Sequence, residues 1–258
     1  MRLDVTRVRG PDIGWVPAVV IYVCWLAGMV ALLRAPVDGW TDVWWVVPAI
    51  CAQAFLYTGM FITAHDAMHG SLSRRHPRLN DALGALCTWS YAAFSYRLLK
   101  REHLAHHAHA GQPGKDPDFH DGVHPHPIAW LAHFGWHYTT LLQVVVLVGT
   151  FVLLRHGVGI ELENLWLFWA FPSWLSTLQL FFVGTWLPHR DGPGRDPVHH
   201  ARSLDVPWWP SFFACYHFGY HLEHHAAPWA PWWRLPTVRA ELRTDDSVHH
   251  DGAQENVC

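Results

Sequence analysis

The chain has little charge. Asp, Glu, Lys and Arg make up 15% of its 258 residues, against 51% hydrophobic, and the net charge is −3. No basic surplus is available to neutralise a phosphate backbone, which argues against a nucleic-acid partner. Cysteine is scarce: the five residues Cys24, Cys51, Cys87, Cys215 and Cys258 are scattered and form no CxxC pair. They read as small apolar residues, and no haem or iron–sulfur cysteine motif is present. The glycine fingerprints of flavin and nicotinamide sites are missing, as is the HExxH signature of zinc proteases. A cleavable signal peptide is not expected, because the first apolar stretch is too long and no small-residue cleavage site follows it.

Long apolar runs and histidine are abundant instead. The mean hydropathy of +0.05 understates the runs, because 22 His, 17 Trp and 18 Pro pull the average down. Four stretches are long enough to cross a bilayer, which takes about 20 residues: Trp15 to Leu33, Val43 to Ala64, Ile128 to Leu154, and Leu165 to Leu187 with a bend expected at Pro172. Leu83 to Phe94 and Trp208 to Phe218 are apolar but short, and read as re-entrant or interfacial helices. Only Arg34 and Arg155 of the 18 Lys and Arg fall in the two short links; the rest lie in the termini and the two long loops. The positive-inside rule therefore places both termini on the cytoplasmic side. The expected fold is an all-α integral membrane protein. A single membrane-embedded domain covers 1–243, and a hydrophilic, disordered tail covers 244–258.

Three histidine boxes lie just beyond apolar stretches: His65-Asp-Ala-Met-His69, His103-Leu-Ala-His106-His107 and His221-Leu-Glu-His224-His225. Spacings of i, i+3 and i+4 share one helix face, so each box should present its imidazoles to one point. Imidazole suits iron, zinc, copper and nickel, and eight such ligands exceed what one tetrahedral zinc can use, so two metals are expected. The charge pattern puts all three boxes on the cytoplasmic face. A ligating imidazole usually gives its second N–H to a carboxylate or carbonyl. Asp66, Asp118, Glu223 and Glu102 are the candidates for that role, with Asp66 and Glu223 inside boxes.

The longer motifs around the boxes carry a resemblance. They are FLYTGMFITAHDAMHG from Phe55 to Gly70, HLAHH with Asp116-Pro-Asp-Phe119, GTWLPHR from Gly184 to Arg190, Ala201-Arg-Ser203, YHFGYHLEHH from Tyr216 to His225, and PWWRLP from Pro231 to Pro236. Over roughly residues 50–240 the chain is similar to the membrane fatty acid desaturase/hydroxylase superfamily, and within it resembles the bacterial and cyanobacterial β-carotene ketolases. The resemblance implies a non-haem di-iron oxygenase that uses O2. It implies a ninth histidine from the segment before the third box: His189, with His199 and His217 as competitors. It further implies a carotenoid substrate oxidised at C4 of the β-ionone ring, β-carotene to echinenone to canthaxanthin or zeaxanthin to astaxanthin. Electrons would come from an external ferredoxin or other reductase, and the setting would be the bacterial cytoplasmic membrane. A carotenoid hydroxylase, and a fatty acyl desaturase or alkane hydroxylase, are the alternatives inside the superfamily. A membrane metal-binding or transport protein is the alternative outside it.

Overall fold

A computed structural model describes residues 10–243 and Val8; the tail expected at 244–258 lies outside the described residues. Among the described residues there are helices and no strands. Four helices are long and apolar enough to cross a membrane: Trp15–Leu32 (α1), Gly39–Met68 (α2, opening with a 3-10 turn), Leu141–Val158 (α6) and Leu162–His189 (α7). Between them lie Pro77–Ala92 (α3), Tyr96–His109 (α4) and Pro127–Tyr138 (α5). Two short helices, Trp208–Cys215 (α8) and His221–Ala226 (α9), follow α7.

The helix starts are written locally. Proline occupies the first turn of α3 and of α5, where its missing N–H costs nothing. The Ser95 hydroxyl accepts from Leu98 N at the head of α4. Thr140 and Gln143 form a reciprocal capping box at the head of α6. That box corrects one expectation. The apolar run from Ile128 to Leu154 is not one span, because the chain is extended at Thr139 and Thr140. It divides into α5 and the membrane-length α6.

The α2 helix is the hub. From Val43 it runs 26 residues, about 39 Å at 1.5 Å per residue, which exceeds a hydrocarbon core of about 30 Å. It is long enough for its last turns, which carry His65, to pass the apolar layer. Helix α1 lays Ala18, Ile21, Trp25 and Met29 inward and leaves Val19, Val20 and Val23 outward. That outward face suits lipid tails, which are as apolar as the core.

Polar side chains tie the apolar bundle together, and Ser176 serves two of them. Gln53 Nε2 donates to Trp25 O at 3.1 Å, and Thr58 meets Ser176 at 2.9 Å and Gln179 at 2.7 Å. Tyr91 reaches Ser176 and Thr177 at 3.0 Å, and Asn164 Nδ2 donates to Leu32 O and Ala35 O at 2.8 Å. Helices α2 and α7 each close a helical hairpin, so their C-termini emerge at the same end. Pro172 lies in the first turn of the stretch Phe171–Leu180 within α7, directly after a π-helical stretch, Leu165–Ala170.

Candidate metal centre

Every box lies at the end of the bundle where α2 and α7 finish. His65 is in the last turn of α2 and His69 is the residue that caps it. His103, His106 and His107 lie in α4, His189 ends α7, and His221, His224 and His225 lie in α9. Nitrogens of His65, His69, His103, His107 and His224 all fall within 4.8 Å of one another, and so do those of His106, His189, His221 and His225. In the second and third boxes the imidazoles do not meet at one point, as the shared-face argument expects, whereas His65 and His69 of the first box do join one group. His103 and His107 join one group and His106 the other; His221 and His225 join one group and His224 the other. On a helix, i+3 and i+4 lie about 60° and 40° to opposite sides of i. A single HxxHH turn can thus serve two centres.

Ring nitrogens face ring nitrogens in both groups. The Nε2 separations are 2.7 Å for His69–His103, 3.2 Å for His103–His107 and 2.9 Å for His107–His224. In the second group they are 2.9 Å for His189–His221, 3.1 Å for His221–His225 and 3.3 Å for His106–His225. Neighbouring ligands on one metal with bonds of about 2.1 Å sit about 3 Å apart, so the spacing fits a shared cation. Both ring nitrogens of His65 and Nδ1 of His221 are buried without a hydrogen-bond partner, an arrangement that favours a ligand. Burial, reinforced by neighbouring imidazoles, pushes His103, His107, His221, His224 and His225 well below the usual imidazole range. It takes His69 down to about 4. Neutral imidazole is the ligating form.

Two outer contacts orient ligand-competent rings. His189 Nδ1 donates to His200 O at 3.0 Å, which aims its Nε2 at the second group. His106 Nδ1 lies 2.8 Å from Asp116 Oδ1. Burial works against a charged His106, but this hydrogen bond and the charges of Asp118 and Asp116 outweigh it and raise the pKa. Asp116 also accepts from Gly111 N and Asp118 N, and is 4% exposed. It is the carboxylate that sequence reasoning missed. It lies ten residues past His106 across a turn, and only its place in the quoted Asp-Pro-Asp motif hints at it.

The named carboxylates are placed differently. Asp66 Oδ2 accepts from Trp232 N at 2.9 Å, while Oδ1 stands 3.5 Å from His65 Nδ1. Glu223 binds Ser203 Oγ and, at 2.6 Å, Arg239, rather than a box imidazole. It anchors the third box from outside. Glu102 pairs with Arg101 and His137 on the surface. Asp118 accepts from Tyr138 Oη at 2.5 Å. Neither His199 nor His217 joins a group. His217 packs among Trp208, Tyr220 and Trp232.

An apolar cavity opens beside the centre, walled by Phe61, Met68, Phe134, Leu180, Phe181 and Phe218. It touches His65 and His103 of the first group and His106 and His221 of the second, so both groups look onto one apolar space. Phe218 stands edge-on to His65 at 4.6 Å and to His221 at 4.9 Å. Gly184, in the π-helical turn Phe181–Trp186, makes room for it: a Cβ there would lie 2.8 Å from the Phe218 ring.

Fold and site together define an integral membrane protein with a histidine-rich metal site at one end of four spans. The Fatty acid desaturase family matches residues 42–163 and 124–252. The chain is 45% identical over 195 residues to "Beta-carotene 4-ketolase 3" of Haematococcus lacustris, covering 72% of this chain and 59% of that one. It is 45% identical over 193 residues to "Zeaxanthin 4-ketolase" of Chlamydomonas reinhardtii, covering 73% and 43%. It is 40% identical over 228 residues to "Beta-carotene ketolase" of a Paracoccus species, covering 85% and 89%. The chain belongs to the fatty acid desaturase family, in the branch that holds these ketolases. It spans only about half the length of the algal relatives (59% and 43%) and most of the bacterial one (89%).

Proposed function

We propose that the chain is a carotenoid 4-ketolase, an O2-dependent di-iron oxygenase formed by residues 1–243. The observation that carries this is the pair of histidine groups facing one apolar cavity, in a chain whose relatives are named as ketolases. One iron is assigned to His65, His69, His103, His107 and His224, the other to His106, His189, His221 and His225. Iron bound there supplies the power to activate O2 and oxidise an unreactive C–H bond. The protein supplies placement. Asp116 and the His200 carbonyl hold two rings in register, and Phe61, Phe134, Phe181 and Phe218 receive a flat apolar ring while excluding water.

Each oxygenation takes one O2, two electrons and two protons, and leaves one hydroxyl and one water. Two rounds at C4 give a gem-diol, which loses water to become the ketone. β-Carotene becomes echinenone and then canthaxanthin, and a 3-hydroxylated ring as in zeaxanthin is accepted by the same chemistry. Electrons come from a ferredoxin-type carrier docking near Arg74, Arg75, Arg97, Lys100 and Arg101, basic residues of the segment between the first and second boxes. The distribution of Lys and Arg supports a cytoplasm-facing centre in a bacterial inner membrane. Expression in cells that accumulate β-carotene tests the reading. Echinenone and canthaxanthin are expected, with two irons per chain by metal analysis. Zeaxanthin as the sole product would move the chain to the hydroxylases.

A further inference from the structure

Among the described residues, Asp118 is the only carboxylic acid on the cavity wall. Its backbone is pinned on both sides: its N–H donates to Asp116 Oδ1 at 2.9 Å, and its carbonyl accepts from Trp130 Nε1 at 2.8 Å. Oδ1 is taken by the Tyr138 hydroxyl at 2.5 Å. Oδ2 stands 4.0 Å from His106 Nδ1, beyond hydrogen-bond range, and that nitrogen already faces Asp116 at 2.8 Å. No other hydrogen bond reaches Oδ2 among the described residues, and the side chain is 15% exposed. Two of the remaining hydroxyls of the wall are spent elsewhere. Tyr91 Oη meets Ser176, Thr177 and the Ser173 carbonyl, and Thr177 donates to the Ser173 carbonyl. One carboxyl oxygen in a largely apolar space therefore lacks a partner, beside a histidine of the second group. Such an oxygen is costly when empty and selective when filled.

The parent ring offers it nothing, whereas a ring that has gained a hydroxyl does. We propose that Asp118, steadied by Tyr138, holds the hydroxyl left by the first oxygenation, so that the same carbon is presented again and the product is a ketone rather than an alcohol. This rests on the 4-ketolase reading above. A hydroxyl both donates and accepts, so it pairs with Oδ2 wherever the proton of the carboxyl–phenol pair resides. The hydrogen bond makes the alcohol a tighter ligand than its parent, by about tenfold to a hundredfold for a carboxylate partner. The 4-hydroxy intermediate is then oxidised faster than it escapes to the lipid.

The test compares wild type with Tyr138→Phe, which removes only the hydroxyl, and Asp118→Asn. Products formed from β-carotene are separated, and iron content is measured on each protein. Membranes are also given a 4-hydroxylated or an unsubstituted carotenoid, and binding is read from the induced circular dichroism of the polyene. The expected result is accumulation of 4-hydroxy products in both variants, with weaker binding of the hydroxylated carotenoid by about tenfold or more and a far smaller change for the unsubstituted one. A wild-type ratio of ketone to alcohol in both variants would overturn the proposal. So would an equal loss with both carotenoids, with or without loss of iron, since the pair would then serve the metal or the fold. If wild-type protein makes no ketone at all, the 4-ketolase reading fails. The binding arm then still reports whether Asp118 selects a hydroxylated ring.

Discussion

Helices α2 and α6 are both membrane-length and similarly apolar, yet 56% of the most apolar 18 residues of one is buried inside the protein and 6% of the other. Hydropathy reports only that a segment shuns water. It does not say whether protein or lipid takes the place of water. Helix α2 is enclosed by α1, α3 and α7, and its end from Tyr57 to Met68 is buried at nearly every position because it delivers His65 to the centre. Helix α6 shows Leu141, Leu142, Val145 and Val148 outward and touches the core chiefly through Phe151 and Leu154. The bundle thus has a buried half that carries chemistry and an outward-facing apolar half.

The largest effect that sharpens this contrast lies at the foot of α2. His65→Ala removes one of the five nitrogens of the first group and is expected to abolish ketone formation and to halve bound iron, read by product analysis and metal content. His156→Ala, in the last turn of α6, leaves both unchanged. One step outward, Asp116→Ala takes away the acceptor that orients His106 and is expected to weaken iron binding by about tenfold to a hundredfold, measured by chelator competition. Next comes packing. Met60→Ala, at a fully buried site on α2, should cost about 2–5 kcal/mol, against less than about 0.5 kcal/mol for Val145→Ala on α6. Thermal unfolding in detergent compares the two, and equal shifts would dissolve the distinction between the halves. The smallest pair uses glycine. A Cβ at Gly59 would lie 2.5 Å from the Tyr216 hydroxyl, so Gly59→Ala should destabilise by about 1–3 kcal/mol. A Cβ at Gly149 meets nothing within 4 Å, so Gly149→Ala should stabilise by about 0.5–1 kcal/mol through helix propensity.

Much of this architecture was legible in the residues. The first, second and fourth spans stood out because a run of some twenty apolar residues admits few alternatives to a membrane helix. The third was read as starting at Ile128, because nothing in the hydropathy marks the break before Leu141. The break is made by Thr140 capping Gln143, a local hydrogen bond that composition does not show. The short stretch expected at Leu83 to Phe94 is the second half of α3, which begins at Pro77 and packs along α2. Its polar first turns hid it from a search for apolar runs.

What the sequence by itself determined is the supply of parts. It held four apolar spans, three histidine boxes just beyond apolar stretches, and no cofactor motif to compete with a metal, because hydropathy and helical spacing are local and one-dimensional properties. Tertiary structure decided how the parts divide. It split the second and third boxes between two groups, brought His189 in across 32 residues from His221, and set Asp116 behind His106. It also turned Phe218 over both groups and left one oxygen of Asp118 unpartnered on the cavity wall. These are relations among residues far apart in the chain. They follow from how α2, α4, α7 and α9 pack against one another, and that packing is set by side-chain shape in three dimensions.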